Sequence, residues 1–215
     1  MLQVYLVRHG ETVWNAARRI QGQSDSALTA KGEHQAKQVG ERVKTLGITH
    51  VICSDLGRTQ RTAEIIADAC GCSVTLDPRL RELNMGVLEQ RPLDGLSEEE
   101  ERWRKALVDG TEGGRIPQGE SMTELATRMH AALNACLDLP AGSRPLLVSH
   151  GMALGALVST ILGLPAHAER RLRLRNCSIS RVDHQQSAWL AEGWIVETAG
   201  DVSHLDAPAL DELQR

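Results

Sequence analysis

The first apolar run covers residues 2–7, is short and branched, and stops abruptly at Arg8-His9-Gly10. A run of that length and composition predicts a buried strand. The period then changes. Thr29 stands where a helix N-cap is expected, and Ala36, Val39, Gly40 and Val43 recur after it at helical spacing, so a helix is expected over 30–46. A second strand is expected over 50–53, ending near Ser54, and then a helix over 57–69 with Thr62, Ile65, Ile66 and Ala69 on one face. A third strand follows over 73–76. From about 79 to 120 the chain is more polar and less regular, and reads as an insert over the sheet's edge with a helix over 97–109. Ser121-Met122-Thr123-Glu124 has the form of a capping box. It opens a helix whose apolar stripe is Leu125, Met129, Ala132, Leu133 and Cys136. A fourth strand over 146–149, a helix over 152–162 and strands over 177–182 and 194–198 complete the pattern, with an irregular cover after Asp201.

Strands alternating with helices predict an α/β fold, a three-layer α/β/α arrangement around a mostly parallel central sheet. One domain over 1–215 carrying the insert at about 79–120 accounts for the whole chain. In open sheets of this kind ligands sit beyond the carboxyl ends of the strands. Three such ends carry polar groups of one chemical kind: Arg8-His9-Gly10, Ser54 to Arg58, and Ser149-His150-Gly151.

Composition narrows the function. Of 215 residues, 41% are hydrophobic and only 2% aromatic, with no Phe, so the core must be aliphatic. The formal charge of −4 argues against a nucleic-acid partner, which calls for a basic surface. It leaves room for an anionic substrate held by a local Arg cluster. The five Cys form no metal or redox spacing, and reduced, buried thiols fit a cytoplasmic location. The amino terminus lacks the basic region of a signal peptide. No Asp, Glu, Lys or Arg occurs between Arg144 and Glu169, but Pro145, Ser149, His150, Ser159, Thr160 and Pro165 interrupt that stretch. A buried strand leading into a buried helix explains it better than a membrane span, which needs about 20 apolar residues.

At the first strand end, His9 is placed to be held rigidly, Gly10 lets the backbone turn close to a ligand, and Arg8 offers a planar fork matched to phosphate oxygens. A neutral imidazole nitrogen is a competent nucleophile. The run Leu6-Val7-Arg8-His9-Gly10-Glu11-Thr12 with Trp14-Asn15 resembles the signature of the histidine phosphatase superfamily, which includes the cofactor-dependent phosphoglycerate mutases. The resemblance extends along the chain. Arg19-Ile20-Gln21-Gly22-Gln23, Asp25, Leu28-Thr29, Gly32, Ser54-Asp55-Leu56-Gly57-Arg58-Thr59, Thr62-Ala63, Leu80-Arg81-Glu82-Leu83, Gly86 and Val148-Ser149-His150-Gly151 follow in the family's order.

The resemblance implies that His9 attacks phosphorus and becomes phosphohistidine, with Arg8, Arg58 and His150 around the phosphoryl oxygens. Glu82 is implied as the acid that protonates the leaving oxygen and then the base that activates water or a hydroxyl. Gly10, Glu11, Thr12, Asn15, Gln21, Gly22, Gln60 and Gly151 are expected to line the phosphate pocket. Arg104 or Lys105 is expected to reach a substrate carboxylate, the alternative being a charged helix face. No metal is expected. His9, His150 and Glu82 are of types that ligate zinc, but Arg8 and Arg58 beside them would repel a dication. His34, His130 and His167 fall outside the motifs and read as structural or solvated. Glu98 to Glu101 read as the solvated first turn of a helix.

The expected partner is a small phosphorylated metabolite, with no membrane or nucleic acid, and a homodimer is left open. Two activities share the first half-reaction. A shorter insert between Glu82 and His150 than in the glycolytic mutases, and no Tyr after Glu82, lean toward hydrolysis of small phosphomonoesters. The other reading is a mutase interconverting 2- and 3-phosphoglycerate, with a bisphosphoglycerate primer. A phospho-ligand binding protein without turnover is the remote third.

Overall fold

The structure, a computed structural model, describes residues 1–186, 189 and 192–207. Six strands, β1 (Leu2–Arg8), β2 (His50–Cys53), β3 (Val74–Leu76), β4 (Pro145–Ser149), β5 (Ile179–Gln185) and β6 (Gly193–Asp201), form one sheet in the order β3-β2-β4-β1-β5-β6. β3, β2, β4 and β1 pair in parallel. β5 runs antiparallel to β1, and β6 antiparallel to β5. The sheet is therefore mixed, with one strand reversed. That reversal starts β5 beside the carboxyl end of β1, which brings the turn before it to the same place as His9.

Alternation on the strands feeds two cores, as a pleated strand must when both faces are covered. Tyr5, Val7, Leu146 and Val148 point to one face and pack with Ala36, Val39 and Val43 of α2 (Ala30–Val43) and Ala63, Ile66 and Ala67 of α3 (Gly57–Cys70). Val4, Leu6 and Leu147 point to the other face. They meet Leu125, Met129 and Leu133 of the helix Met122–Asn134 and Leu154, Leu157 and Val158 of the helix Gly151–Ile161. The predicted caps are in place: Thr29 accepts from the Gly32 N–H, and Ser121 and Glu124 form a reciprocal box. The chain also has a one-turn helix, α1 (Val13–Ala16), that periodicity could not reveal in four residues. The remaining helices are α4 (Glu98–Val108), α5 (Met122–Asn134) and α6 (Gly151–Ile161).

The 79–120 insert differs from expectation in its position. Leu80, Leu83, Leu88 and Ile116 are fully buried in the same cluster as Val4 and Leu6 of β1. It covers the middle of one face rather than the edge, because these four side chains, each worth about 1.5–3 kcal/mol when buried, find apolar surface only there. All five cysteines are unbridged, and burial pushes the Cys53 thiol up to about 12 and the Cys136 thiol up to about 11. After Asp201, Val202 and Leu205 pack on the α2–α3 side of the sheet, and residues 208–215 of the expected cover lie outside the described residues. No helix among the described residues is long and apolar enough to cross a membrane.

Candidate active site

β1 and β4 are parallel neighbours with Arg8 opposite Ser149, so the residues that follow them, His9 and His150, emerge side by side. The His9 N–H donates to the Ser149 carbonyl at 3.0 Å, and the two imidazole centroids lie 5.2 Å apart. The loop after His9 can lie flat on the start of α2 only because Gly10 and Gly32 lack side chains. A Cβ on Gly10 would sit 2.4 Å from the Gly32 carbonyl oxygen.

His9 is 3% exposed. Its Nδ1–H donates to the Gly10 carbonyl at 2.8 Å, which assigns the Nε2 lone pair to chemistry. Burial first, then the Arg58 and Arg8 guanidiniums, hold its pKa well below 6.5. His150 is fully buried, and neither ring nitrogen has a hydrogen-bond partner among the described residues. Its pKa also lies well below 6.5, through burial and then the charges of Arg58, His9, Arg128 and Arg8. Two neutral imidazoles beside two guanidiniums form a site built for an anion.

Arg58, at the start of α3, is 1% exposed. Its Nη2 donates to the Gly22 carbonyl at 2.7 Å, and its Nη1 to the Ser24 carbonyl at 2.8 Å and to Asp25 at 2.9 Å. Arg8 donates from Nη1 to the Leu174 carbonyl at 2.7 Å and passes over Gly151, where a Cβ would meet its Nε at 3.2 Å. The Glu82 carboxylate docks on the start of α6. It accepts from the N–H groups of Met152 at 3.1 Å and Ala153 at 2.9 Å, and from its neighbour Leu83 at 2.9 Å. His150 is the N-cap of α6 but makes no side-chain cap, so Glu82 supplies the acceptor that the helix end needs.

Arg8, His9, Asn15, Gln21, Gly22, Arg58 and Glu82 line one cavity of about 360 Å³, together with Trp14, Arg18, Arg19, Ile20, Met85, Leu93, Met152 and Arg170. Several expected residues are placed elsewhere. The Gly10 N–H is taken by Thr62 at 3.1 Å. Glu11 turns away to Thr29 at 2.8 Å and Lys31 at 3.4 Å. Thr12 caps α1 and donates to Gln21 at 3.1 Å. Gln60 reaches back one turn to the Asp55 carbonyl at 2.7 Å and does not line the cavity. Gly151 serves as space for Arg8. Arg104 pairs with Glu101 on its own helix, Lys105 is exposed, and neither lines the cavity. Three more arginines line the cavity: Arg19, which opens the 19–23 run, and Arg18 and Arg170, which fall in no motif.

Three further groups organise the site without a motif signal of their own. Asn176 is 1% exposed and donates to the His9 carbonyl at 2.8 Å, while the next residue, Cys177, sits at φ 56° with its N–H 2.9 Å from the Arg8 carbonyl. Such backbone strain in a non-Gly residue persists only where its surroundings enforce it. Glu89 accepts from the Gln23 and Ser24 N–H groups at 2.7 and 2.8 Å, fixing the loop that holds Arg58. Arg128 holds the backbone before Glu82. Among the described residues no cluster of three or more His, Cys, Asp or Glu is arranged to hold a metal ion.

Residues 4–197 match the histidine phosphatase superfamily (branch 1), and the chain belongs to that superfamily. It is an enzyme of the phosphatase and phosphoglycerate mutase kind. Its relatives include proteins named probable phosphoglycerate mutase GpmB from Erwinia tasmaniensis, 85% identical, and Cronobacter sakazakii, 82% identical, each aligned over 215 residues and 100% of both chains. Among solved structures, Bacillus stearothermophilus YhfR matches with a TM-score of 0.87 at 28% identity, over 95% of this chain and 99% of that one. A mycobacterial glucosyl-3-phosphoglycerate phosphatase in complex with VO3 shares the fold, with a TM-score of 0.79 at 24% identity over 93% of this chain and 99% of that one.

Proposed function

We propose that the chain hydrolyses small phosphomonoesters through a phosphohistidine on His9. The observation that carries this is the state of His9: buried, neutral, with Nδ1 tied to the Gly10 carbonyl, lining one cavity with Arg8 and Arg58 and with the His150 ring 5.2 Å away. In the first step His9 Nε2 forms a bond to phosphorus while the ester P–O bond breaks, and the leaving alkoxide takes a proton from the Glu82 carboxyl group. In the second, Glu82 accepts a proton from water, the water oxygen bonds to phosphorus, and the N–P bond breaks to release inorganic phosphate and free His9. Phosphoryl transfer asks chiefly for positioning and charge stabilisation. Arg8 and Arg58 supply that charge from fixed positions, so the sequence of steps uses no metal.

A second reading, interconversion of 2- and 3-phosphoglycerate, is supported by the name its relatives carry. It requires the monophosphorylated product to be retained while water is excluded. Against it, Arg104 and Lys105, the pair expected to grip a carboxylate, do not line the cavity. The rest of the cavity lining is instead mixed, with Arg18, Arg19 and Arg170 as well as Trp14, Ile20 and Leu93, and suits a small phosphorylated metabolite. A panel of cellular phosphomonoesters tests the proposal, with 3-phosphoglycerate assayed for both free phosphate and 2-phosphoglycerate. Release of phosphate in excess of isomerisation is expected. Isomerisation that outpaces phosphate release would assign the mutase reaction.

A further inference from the structure

Residues 79–82 lead into Glu82 outside any strand or α-helix, yet the carbonyl of each is held by a side chain. Ser149 Oγ donates to the Leu80 carbonyl at 2.7 Å. Arg128, on α5, takes the other three. Its Nη1 donates to the carbonyls of Arg79 at 2.8 Å and Arg81 at 2.6 Å, and its Nη2 to the carbonyl of Glu82 at 2.8 Å. The remaining donors go to Glu120, from Nε at 2.7 Å and Nη2 at 2.8 Å. The five N–H groups of the guanidinium are thus all engaged. Glu120 closes the other side: its Oε2 accepts from the Asn84 N–H at 3.3 Å, and its own N–H donates to the Asn84 carbonyl at 2.9 Å. Both side chains are mostly buried, at 19% and 15% exposure.

We infer that Arg128, oriented by Glu120, is a positioning residue for the acid/base step: it fixes the backbone of Glu82 so that the carboxylate is presented at the α6 terminus beside His150. The inference rests on the reading of Glu82 given above. The physical case is one of geometry. A loop residue free to shift by 1 Å would lose much of its proton-transfer efficiency, and misplacement of that size costs about 10²-fold. Lysine cannot replace the clamp, because an ammonium is a point donor and cannot span three carbonyls and a carboxylate in one plane. Arg128 touches none of the residues around the phosphate except through Glu82, and it does not line the cavity. Apart from its charge, which also bears on His150 and which Arg128→Lys retains, its effect should therefore fall on the steps in which Glu82 moves a proton.

The test compares burst rates by rapid quench for an alkyl phosphate, whose alkoxide needs a proton to leave, and p-nitrophenyl phosphate, whose phenolate does not. Glu82→Gln serves as the reference and should lose about 10²–10⁴-fold on the alkyl ester and far less on the aryl ester. Arg128→Lys and Arg128→Met should reproduce that selectivity, with about a 10²-fold loss on the alkyl ester. Glu120→Gln, which leaves the three carbonyl contacts in place, should show a smaller loss of the same kind, and it decides the matter if the Arg128 variants do not fold. Selective loss in Glu82→Gln with an equal loss on both esters, or none, in the clamp variants overturns the positioning role alone. Equal losses on both esters in Glu82→Gln overturn the acid/base reading and the clamp's purpose with it.

Discussion

His9 and His150 lie with ring centroids 5.2 Å apart and planes inclined at 60°, a consequence of Arg8 and Ser149 being register partners on adjacent parallel strands. The pairing is between neutral rings. Each is deprived of water, and each sits in the field of Arg58 and Arg8, so protonating either would put a third positive charge in a buried space. A phosphoryl group entering there meets donors and positive charge already fixed, which is how electrostatic preorganisation lowers a barrier.

Replacement of the nucleophile should be decisive. His9→Ala is expected to abolish turnover and the acid-labile label left by a radiolabelled phosphomonoester, while circular dichroism remains that of the wild type. Labelling that persists at wild-type stoichiometry in this variant would take His9 out of the mechanism.

Stability should depend on pH through the buried histidines. Their folded pKa values lie below 6.5, so as pH falls through 6.5 the unfolded chain binds protons that the folded chain refuses. Stability is complete above about 6.5 and declines below it. His130 and His204 shift in the same direction through burial. Carboxylates such as Glu124, held at about 2, act only below their ordinary value of 4.5. The interval between 4.5 and 6.5 thus belongs to histidine, and the thermal midpoint should fall across it. His150→Gln should flatten that slope; an unchanged slope in the variant would assign the dependence elsewhere.

Asn176→Ala removes the donor to the His9 carbonyl at 2.8 Å from a site 1% exposed. The Cys177 N–H still reaches that carbonyl at 3.3 Å, so the loss is that of one net hydrogen bond, about 0.5–1.5 kcal/mol, which urea denaturation should register as a lower midpoint with unchanged slope. Because Asn176 also reaches Asn15 at 3.4 Å, kcat should fall more than KM rises. A variant with wild-type stability and kcat would show the contact to be idle.

Prolonged dialysis against EDTA should leave the rate unchanged, since Arg8 and Arg58 carry the charge that a metal would otherwise supply. Vanadate should inhibit competitively by adopting the five-coordinate geometry of the transition state, and Arg58→Lys should weaken that inhibition, because an ammonium cannot hold the Gly22 and Ser24 carbonyls and Asp25 together. Activity lost to EDTA and restored by zinc would bring the metal reading back.

What the chain's sequence determines by itself is local. The strand over 2–7, the helix begun at Thr29 and the box at Ser121 follow from side-chain period and capping, which act within a few residues. The motifs placed Arg8, His9, Arg58 and His150 near strand ends and Glu82 in the insert, and all but His150 line the cavity directly, His150 lying 5.2 Å from His9. Which loop side chains face that cavity was decided in three dimensions. Glu11 and Gln60 have nearer partners in Thr29 and the Asp55 carbonyl, and Arg104 is drawn to Glu101 one helical turn away. Asn176, Glu89 and Arg128 carry no motif of their own, and each acts on residues far away in the chain: Asn176 on His9, 167 positions off, Glu89 on Gln23, 66 off, and Arg128 on Glu82, 46 off. Their roles exist only because the reversed strand β5 starts beside β1 and because the insert lies over the centre of the sheet. Burial of Leu80 and Leu83 against Leu6 carries the backbone of Glu82 to the amino end of α6, where its carboxylate meets the free N–H groups of Met152 and Ala153.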